Sequence, residues 1–257
     1  MAVAGLRLLA TAFLGLAILA PAAAREPGDP IRLAYSEGDL AGLTRILSPD
    51  GAKTIGFIDY RQHRHGDRLT MIRLARFNDG SSDEDRAEAR VDKTLEALGG
   101  RSIIRDVHNT PVVDVTIDVT NGHITGFSGI GKERKDYDER ADLTAGTYWG
   151  PLVSLVVKNF DQNAVDGHLV FHSVVLTPGP RMIDMELVHG DKTALKRPGG
   201  RVAVTALALK PTINFIVDPI VQRLAPETEF VVSPGTPPAL VRFAGPRNYA
   251  GQKIRIE

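Results

Sequence analysis

Cysteine is absent from the 257 residues of the chain. No disulfide can form, so the fold has to be held together by its buried core alone. A chain of this length is long enough to bury such a core. The same absence excludes a lipid-modified cysteine and a cysteine nucleophile.

An excess of charge is missing as well, since 31 basic side chains are matched by 31 acidic ones. Proteins that bind nucleic acids normally present a basic face. The balance therefore argues against a nucleic acid as partner. The overall composition is that of a globular chain and not of a disordered one.

Long apolar runs are almost missing. Beyond the N-terminal region there is no run of about 18 apolar residues, the length that a transmembrane helix needs. Residues 8–19 are apolar, but this run is too short to span a bilayer. It follows Arg7 and precedes Pro21 and three alanines, an order that is typical of a secretory signal peptide.

From this order we expect residues 1–24 to be a signal peptide that is cleaved after Ala24. The mature chain, residues 25–257, would then be periplasmic or secreted and would carry no transmembrane anchor. The alternative is that the apolar run is retained as an N-terminal anchor.

Motifs of the common catalytic classes are also lacking. The chain contains no Gly-x-Ser-x-Gly, no Ser-x-x-Lys, no His-Glu-x-x-His and no phosphate-binding glycine loop. We therefore assign no catalytic residue and no cofactor. A hydrolase with a scattered active site stays open as an alternative, with His172 or the pair His63 and His65 as candidates.

What the chain does contain is alternation of apolar and polar residues, the period of a half-buried strand. It is clearest at residues 112–119, and the following Asn121-Gly122 favours a tight hairpin turn. A return strand is predicted at 123–129. Further strands are predicted at residues 53–62, 69–77, 169–176, 181–188, 201–209, 228–232, 239–243 and 253–256. Many short strands between turn residues predict one all-β domain.

Two segments are harder to interpret. Residues 83–98 are compatible with a helix by composition, or with an edge strand around 87–91. Residues 214–224 are apolar but contain Pro219, which predicts an extended piece followed by a short helical turn at about 219–224.

Residues 147–161 depart from the alternation. Pro151 suits the first position of a helix, and Ser154, Lys158 and Asp161 make only a narrow polar stripe. The larger, apolar face consists mainly of Trp149, Leu152, Val153, Val156 and Phe160. A helix this apolar is predicted to be buried. We interpret these five residues as a lid that lines a site for an apolar ligand, with plain core as the alternative.

Three patterns are weak candidates for metal sites. His63 and His65 could share one face of a strand as half of a metal site, but Arg61 and Arg64 surround them with positive charge. The acidic residues 79–85 and the segment 161–167 are superficially similar to calcium loops, and the second fails the EF-hand pattern. We interpret all three as solvated turns and assign no metal. His172 is interpreted as a core or cavity-lining histidine.

Four segments together resemble a group of uncharacterised bacterial exported proteins: residues 77–81, 143–160, 177–181 and 237–246. These proteins look like domains of unknown function with an incompletely closed β-barrel. Such barrels are similar in shape to the periplasmic carrier of lipoproteins, in which a curved sheet covered by short helices shields acyl chains. The resemblance implies a half-open barrel and no catalytic residue, and fold alone does not fix function.

We therefore predict an all-β domain, a curved antiparallel sheet or half-open β-barrel, with one buried lid helix at about 150–160. The leading hypothesis is non-enzymatic binding of an apolar ligand, a lipid or acyl chain. Burial of its methylenes would drive binding by about 0.8 kcal/mol each. The alternatives are a structural or interaction module of the cell envelope with a filled barrel, and the hydrolase named above.

Overall fold

A computed structural model describes most of the chain. The described residues are 25–176, 179–197, 200–212, 228–247 and 251–257. The signal peptide expected at 1–24 and the helical turn expected at 219–224 lie outside them. None of the helices in the described ranges is long and apolar enough to cross a membrane.

Strands dominate the described part of the chain, as the alternating sequence pattern predicts. The first eight are β1 (Ile31–Arg32), β2 (Leu40–Leu47), β3 (Thr54–His65), β4 (Arg68–Phe77), β5 (Ser82–Val91), β6 (Thr94–Arg105), β7 (Pro111–Asp118) and β8 (His123–Ser128). The others are β9 (Lys135–Arg140), β10 (Thr147–Tyr148), β11 (His168–Val175), β12 (Arg181–Arg197), β13 (Gly200–Pro211), β14 (Thr228–Ser233), β15 (Ala239–Pro246) and β16 (Lys253–Ile256). A single 3₁₀ turn lies at Gly131–Glu133 among these residues, and the two α-helices are α1 (Leu152–Lys158) and α2 (Phe160–Asn163).

All these strands belong to one curved sheet. Its order is β10-β11-β12-β13-β14-β15-β16-β2-β3-β4-β5-β6-β7-β8-β9, and β1 pairs with β6 outside this path. Neighbours are antiparallel except β10 and β11, which are parallel. In the described residues β9 and β10 end the sheet without pairing to each other, so the sheet is not closed. The predicted curved, half-open, all-β architecture is confirmed.

Residues 83–98 form two neighbouring strands, β5 and the start of β6. The helical alternative is therefore wrong, and so is the edge strand, because β5 pairs with β4 on one side and β6 on the other. Alternate residues Ala87, Ala89 and Val91 are buried. Burial of every second residue outweighs the helical propensity of the alanines and glutamates between them.

The two helices lie inside the curve of the sheet. Helix α1 contacts β15, and α2 contacts β1, which is paired with β6. The helical segment thus bridges the two halves of the sheet. The buried helix predicted at about 150–160 is confirmed, although Asn159 divides it into α1 and α2.

Side-chain amides of this helical segment hold the chain that leads into β2. Asn159 Oδ1 accepts the Ala34 N–H at 2.8 Å, and Asn163 Oδ1 accepts the Arg32 N–H at 2.7 Å. Asn163 also donates to the Arg32 carbonyl at 2.9 Å. These bonds fix the path of residues 32–37 along the helices, and this path brings Glu37 into the interior.

Candidate ligand-binding cavity

A cavity of about 990 Å³ lies inside the curved sheet. Strands β3–β6 form one wall, strands β11–β15 form the opposite wall, and α1 lies beside both. Its volume is at the upper end of the range of about 300–1,000 Å³ that is usual for small-molecule sites. The cavity is therefore large enough for a ligand of lipid size.

The wall built by β11–β14 is mainly apolar. Its side chains include Val174, Ile183, Met185, Leu209 and Phe230. They come from four successive strands whose inward positions are apolar, the pattern that the alternation predicted. This wall offers a surface for methylene groups.

The wall built by β3–β6 is polar. Tyr60, Arg73, Asp85 and Ser102 are successive cross-strand partners and form one row across four strands. Arg73 donates hydrogen bonds to Asp85 from Nε, at 3.0 Å, and from Nη2. Ser102 Oγ donates to the other oxygen of Asp85 at 2.6 Å. Burial alone would lower the pKa of Arg73, but the carboxylates of Asp85 and Asp83 raise it, so the guanidinium stays charged.

A second ion pair on this wall joins β5 to the residue that follows β15. Arg247 binds both oxygens of Asp83, at 2.8 and 2.7 Å, and donates to Ser81 Oγ at 2.9 Å. Its guanidinium lies 3.7 Å above the centre of the Phe77 ring, a favourable cation–π geometry. The prediction that residues 79–85 form a solvated turn is therefore wrong for Asp83 and Asp85, which are buried.

A third ion pair connects α1 with the polar wall. Lys158 Nζ lies 2.8 and 3.0 Å from the two carboxylate oxygens of Glu37, which is only 4% exposed. Gln62 donates to Glu37 at 3.3 Å and accepts the Tyr60 hydroxyl at 3.0 Å. Burial raises the pKa of Tyr60 well above its ordinary value, so the phenol remains a neutral donor.

The five residues predicted to line a ligand site are divided between two sides of the helical segment. Trp149 and Val153 line the cavity. Leu152, Val156 and Phe160 are not among its lining residues and pack in the main core.

The cavity-facing side of α1 carries the polar stripe noted in the sequence. Ser154 and Lys158 line the cavity, together with Leu155. Residues three or four positions apart share a helix face, which explains this grouping. The sequence indicates the two faces correctly but not which of them meets the cavity.

Trp149 lies beside the polar wall. The next residue, Gly150, has φ +50°, and a Cβ at this glycine would come within 3.3 Å of Asp85 Cβ. Trp149 is 2% exposed, its Nε1–H is buried, and no group in the described part of the chain accepts it. A buried donor without an acceptor is unfavourable, and this N–H has no surface that is open to the cavity.

Strands β2 and β15 are only partly joined by β16, and we call the part of the cavity wall that lacks this pairing the opening. Strand β16 pairs with four residues of β15 but with only Ile46 and Leu47 of β2. In the described residues, positions 40–44 of β2 and 239–241 of β15 therefore have no strand between them. Two strand spacings would put about 10 Å between these edges.

The residues of the cavity lining agree with such an opening. A strand within a continuous sheet shows only alternate residues to one side, and β2 does so with Leu40, Gly42 and Thr44. In contrast, every residue from Pro237 to Phe243 lines the cavity. The cavity thus reaches the edge of β15. Leu240 of β15 and Leu40 of β2 are both exposed at the opening.

The other residues singled out in the sequence lie elsewhere. His63 is exposed and lies 3.1 Å from Asp39, and no group of three potential metal ligands occurs in the described ranges. His172 bonds Asp184 at 2.6 Å, its side chain is 22% exposed and it does not line the cavity, so the cavity-lining alternative is wrong. In segment 161–167, Asn163 lies in α2 and is buried, so the interpretation as a solvated turn is wrong for this residue.

Comparisons with known proteins assign the chain to no known family. Neither a protein-family model nor a curated protein sequence matches the chain. Among solved structures, it is similar to a β-barrel-like protein of the domain of unknown function DUF1849 from Brucella abortus. The two chains are 11% identical, the match covers 88% of this chain and 95% of the other, and the TM-score is 0.46. This likeness is too low to transfer a site or an activity.

Proposed function

We propose that the protein binds an amphiphile with an acyl chain inside the cavity and catalyses no reaction on it. The observation that carries this proposal is the cavity of about 990 Å³ with an apolar wall along β11–β14. Burial of about twelve methylenes would contribute roughly 10 kcal/mol before the costs of association. Association costs of about 4 kcal/mol would leave about 6 kcal/mol, which corresponds to a dissociation constant of tens of micromolar.

The opening between β2 and β15 supports the same proposal, because it supplies a route to the cavity. An acyl chain is narrow enough to pass a gap of about 10 Å between two strand edges. The exposed side chains of Leu40 and Leu240 at this gap give it an apolar rim. Both residues also belong to the cavity lining.

The hydrogen bonds of two serine hydroxyls in the cavity lining favour ligand binding over catalysis. Ser102 donates its hydroxyl proton to Asp85, and Ser154 donates to the Pro151 carbonyl at 2.6 Å. The lining contains no histidine among the described residues. The one carboxylate that a serine bonds, Asp85, is already committed to Arg73, so neither serine has an uncommitted base as its partner.

The proposed place of action is the periplasm or the exterior of the cell. Residues 1–24 carry the order of charge, apolar run and small residues that directs secretion. An amphiphile that moves between membranes there needs a carrier that shields its chain from water.

Native mass spectrometry of the protein purified from the periplasm of an expressing bacterium tests the proposal, with organic extraction of any bound molecule. We expect one amphiphile per chain. Trp149 is the single tryptophan of the chain, so its fluorescence should change when a fatty acid or monoacylglycerol is added to the delipidated protein. An unliganded mass together with no response to either compound would refute the proposal.

A further inference from the structure

The basic side chains of the cavity lining all have carboxylate partners within the protein. The pairs are Arg73 with Asp85, Arg247 with Asp83, Lys158 with Glu37, and Arg242 with Glu229. Among the described residues of the lining, no cation is left uncommitted for an anionic ligand.

The sum of charges points the same way. The part of the lining that the structure describes contains four basic and five acidic side chains. A carboxylate or phosphate brought into this cavity would meet no excess of positive charge, and burying an unpaired charge is strongly unfavourable. An ammonium group meets the converse difficulty, because the buried carboxylates Glu37, Asp83 and Asp85 are already bound by basic residues.

Competition between an anionic head group and Glu37 for Lys158 shows why such a head group is disfavoured. An anionic head group that took its ammonium would displace Glu37, which is 4% exposed. Glu37 would keep only the hydrogen bond from Gln62. The displaced carboxylate would remain buried without a cation, so the exchange would gain nothing.

Neutral polar groups, in contrast, disturb none of these pairs. The lining also contains the uncharged polar side chains of Tyr60, Gln62 and Ser102, and hydroxyls and amides both donate and accept hydrogen bonds. A head group with a carbonyl oxygen and a hydroxyl can bond to such groups without leaving a buried charge unpaired.

We infer that the amphiphile has an uncharged head group that bears an ester or hydroxyl oxygen, as a monoacylglycerol does. This inference rests on the proposed function, because it concerns the same cavity. It specifies the ligand class: a neutral acylglycerol type and not a fatty acid anion, a phosphate ester or a quaternary ammonium.

The test compares three ligands of equal chain length: a monoacylglycerol, a fatty acid and an alkyltrimethylammonium. Calorimetric titration of the delipidated protein at about pH 8 keeps the fatty acid ionised, because its carboxyl pKa is near that of other carboxyl groups, about 4. We expect the monoacylglycerol to bind about tenfold tighter or more than either charged ligand. Equal or tighter binding of a charged ligand would overturn the neutral-head inference and leave the proposed function intact. Failure of all three to bind would overturn both.

One variant locates the selectivity. Glu37→Gln frees Lys158, and we expect it to strengthen fatty acid binding about tenfold. Circular dichroism and thermal melting confirm that the variant is folded. A folded Glu37→Gln protein with unchanged fatty acid affinity would show that charge pairing does not set the selectivity.

Discussion

The two walls of the cavity are built by the same kind of strand and yet have opposite chemistry. On β11–β14 the inward positions carry Val174, Met185, Leu209 and similar residues. On β3–β6 the corresponding row carries Tyr60, Arg73, Asp85 and Ser102. Because alternation places both sets inside, burial alone does not explain why one set is charged.

Buried charges are a poor way to gain stability, since their desolvation offsets most of their attraction. An apolar row on β3–β6 would stabilise the fold at least as well. Under the proposed function, the polar wall would contact the polar part of an amphiphile and β11–β14 would contact its chain. The predictions below alter one wall at a time.

The largest effect is expected on the polar wall. Asp85→Ala leaves the half-buried guanidinium of Arg73, whose side chain is 31% exposed, without its carboxylate. We expect the free energy of unfolding to fall by about 3 kcal/mol, the lower end of the range for buried pairs. The midpoint of urea unfolding, followed by circular dichroism, measures this loss.

The control for this variant is Asp114→Ala. Asp114 forms a similar two-bond pair with Arg101, at 2.7 and 2.6 Å, but the side chain of Arg101 is 51% exposed. Solvent screens such a pair, so we expect a loss below about 1 kcal/mol. Equal losses in the two variants would mean that the polar wall is no more buried than the outer surface.

This contrast also shows what the sequence can and cannot predict. Strand 112–119 and its hairpin are predicted within one or two residues, because alternation and Asn121-Gly122 are local signals. The inward orientation of Asp83 is not predictable in the same way. Its partner Arg247 lies 164 positions away in the sequence. From the sequence alone, the acidic segment is therefore interpreted as a solvated turn.

The helix gives an intermediate case. Its length and burial follow from the apolar residues between Trp149 and Phe160. Which side faces the cavity depends on Glu37, 121 positions from Lys158, and no local pattern contains this information. The opening between β2 and β15 is beyond prediction for the same reason, since it depends on the short pairing of β16 with β2.

A smaller effect is expected from filling the apolar wall. Met185→Trp places a larger side chain in the cavity, and we expect the affinity for a monoacylglycerol or fatty acid to fall about tenfold, or about 1.4 kcal/mol. Displacement of a fluorescent fatty acid measures the affinity.

Met182→Trp is the matched control, because Met182 lies on the same strand, is exposed and does not line the cavity. Residues an odd number of positions apart face opposite sides of a strand. We expect its affinity to stay within about twofold of the unaltered protein, as for most surface changes. A similar decrease in both variants would place the ligand outside the cavity.

At the opening we expect no change in ligand affinity. The rates of ligand uptake and release should change instead. Because the chain has no cysteine, Thr44→Cys with Leu240→Cys gives a protein whose only thiols are on β2 and β15. A bismaleimide of about 10 Å, two strand spacings, should bridge them. If the ligand passes between these strands, the bridge should slow uptake and release by the same factor, about tenfold, and leave Kd unchanged, because a barrier alters both rates equally.

Stopped-flow tryptophan fluorescence measures the rates, with the single-cysteine variants and a monofunctional maleimide as controls. Unchanged rates in the bridged protein would show that the amphiphile reaches the two walls by another route.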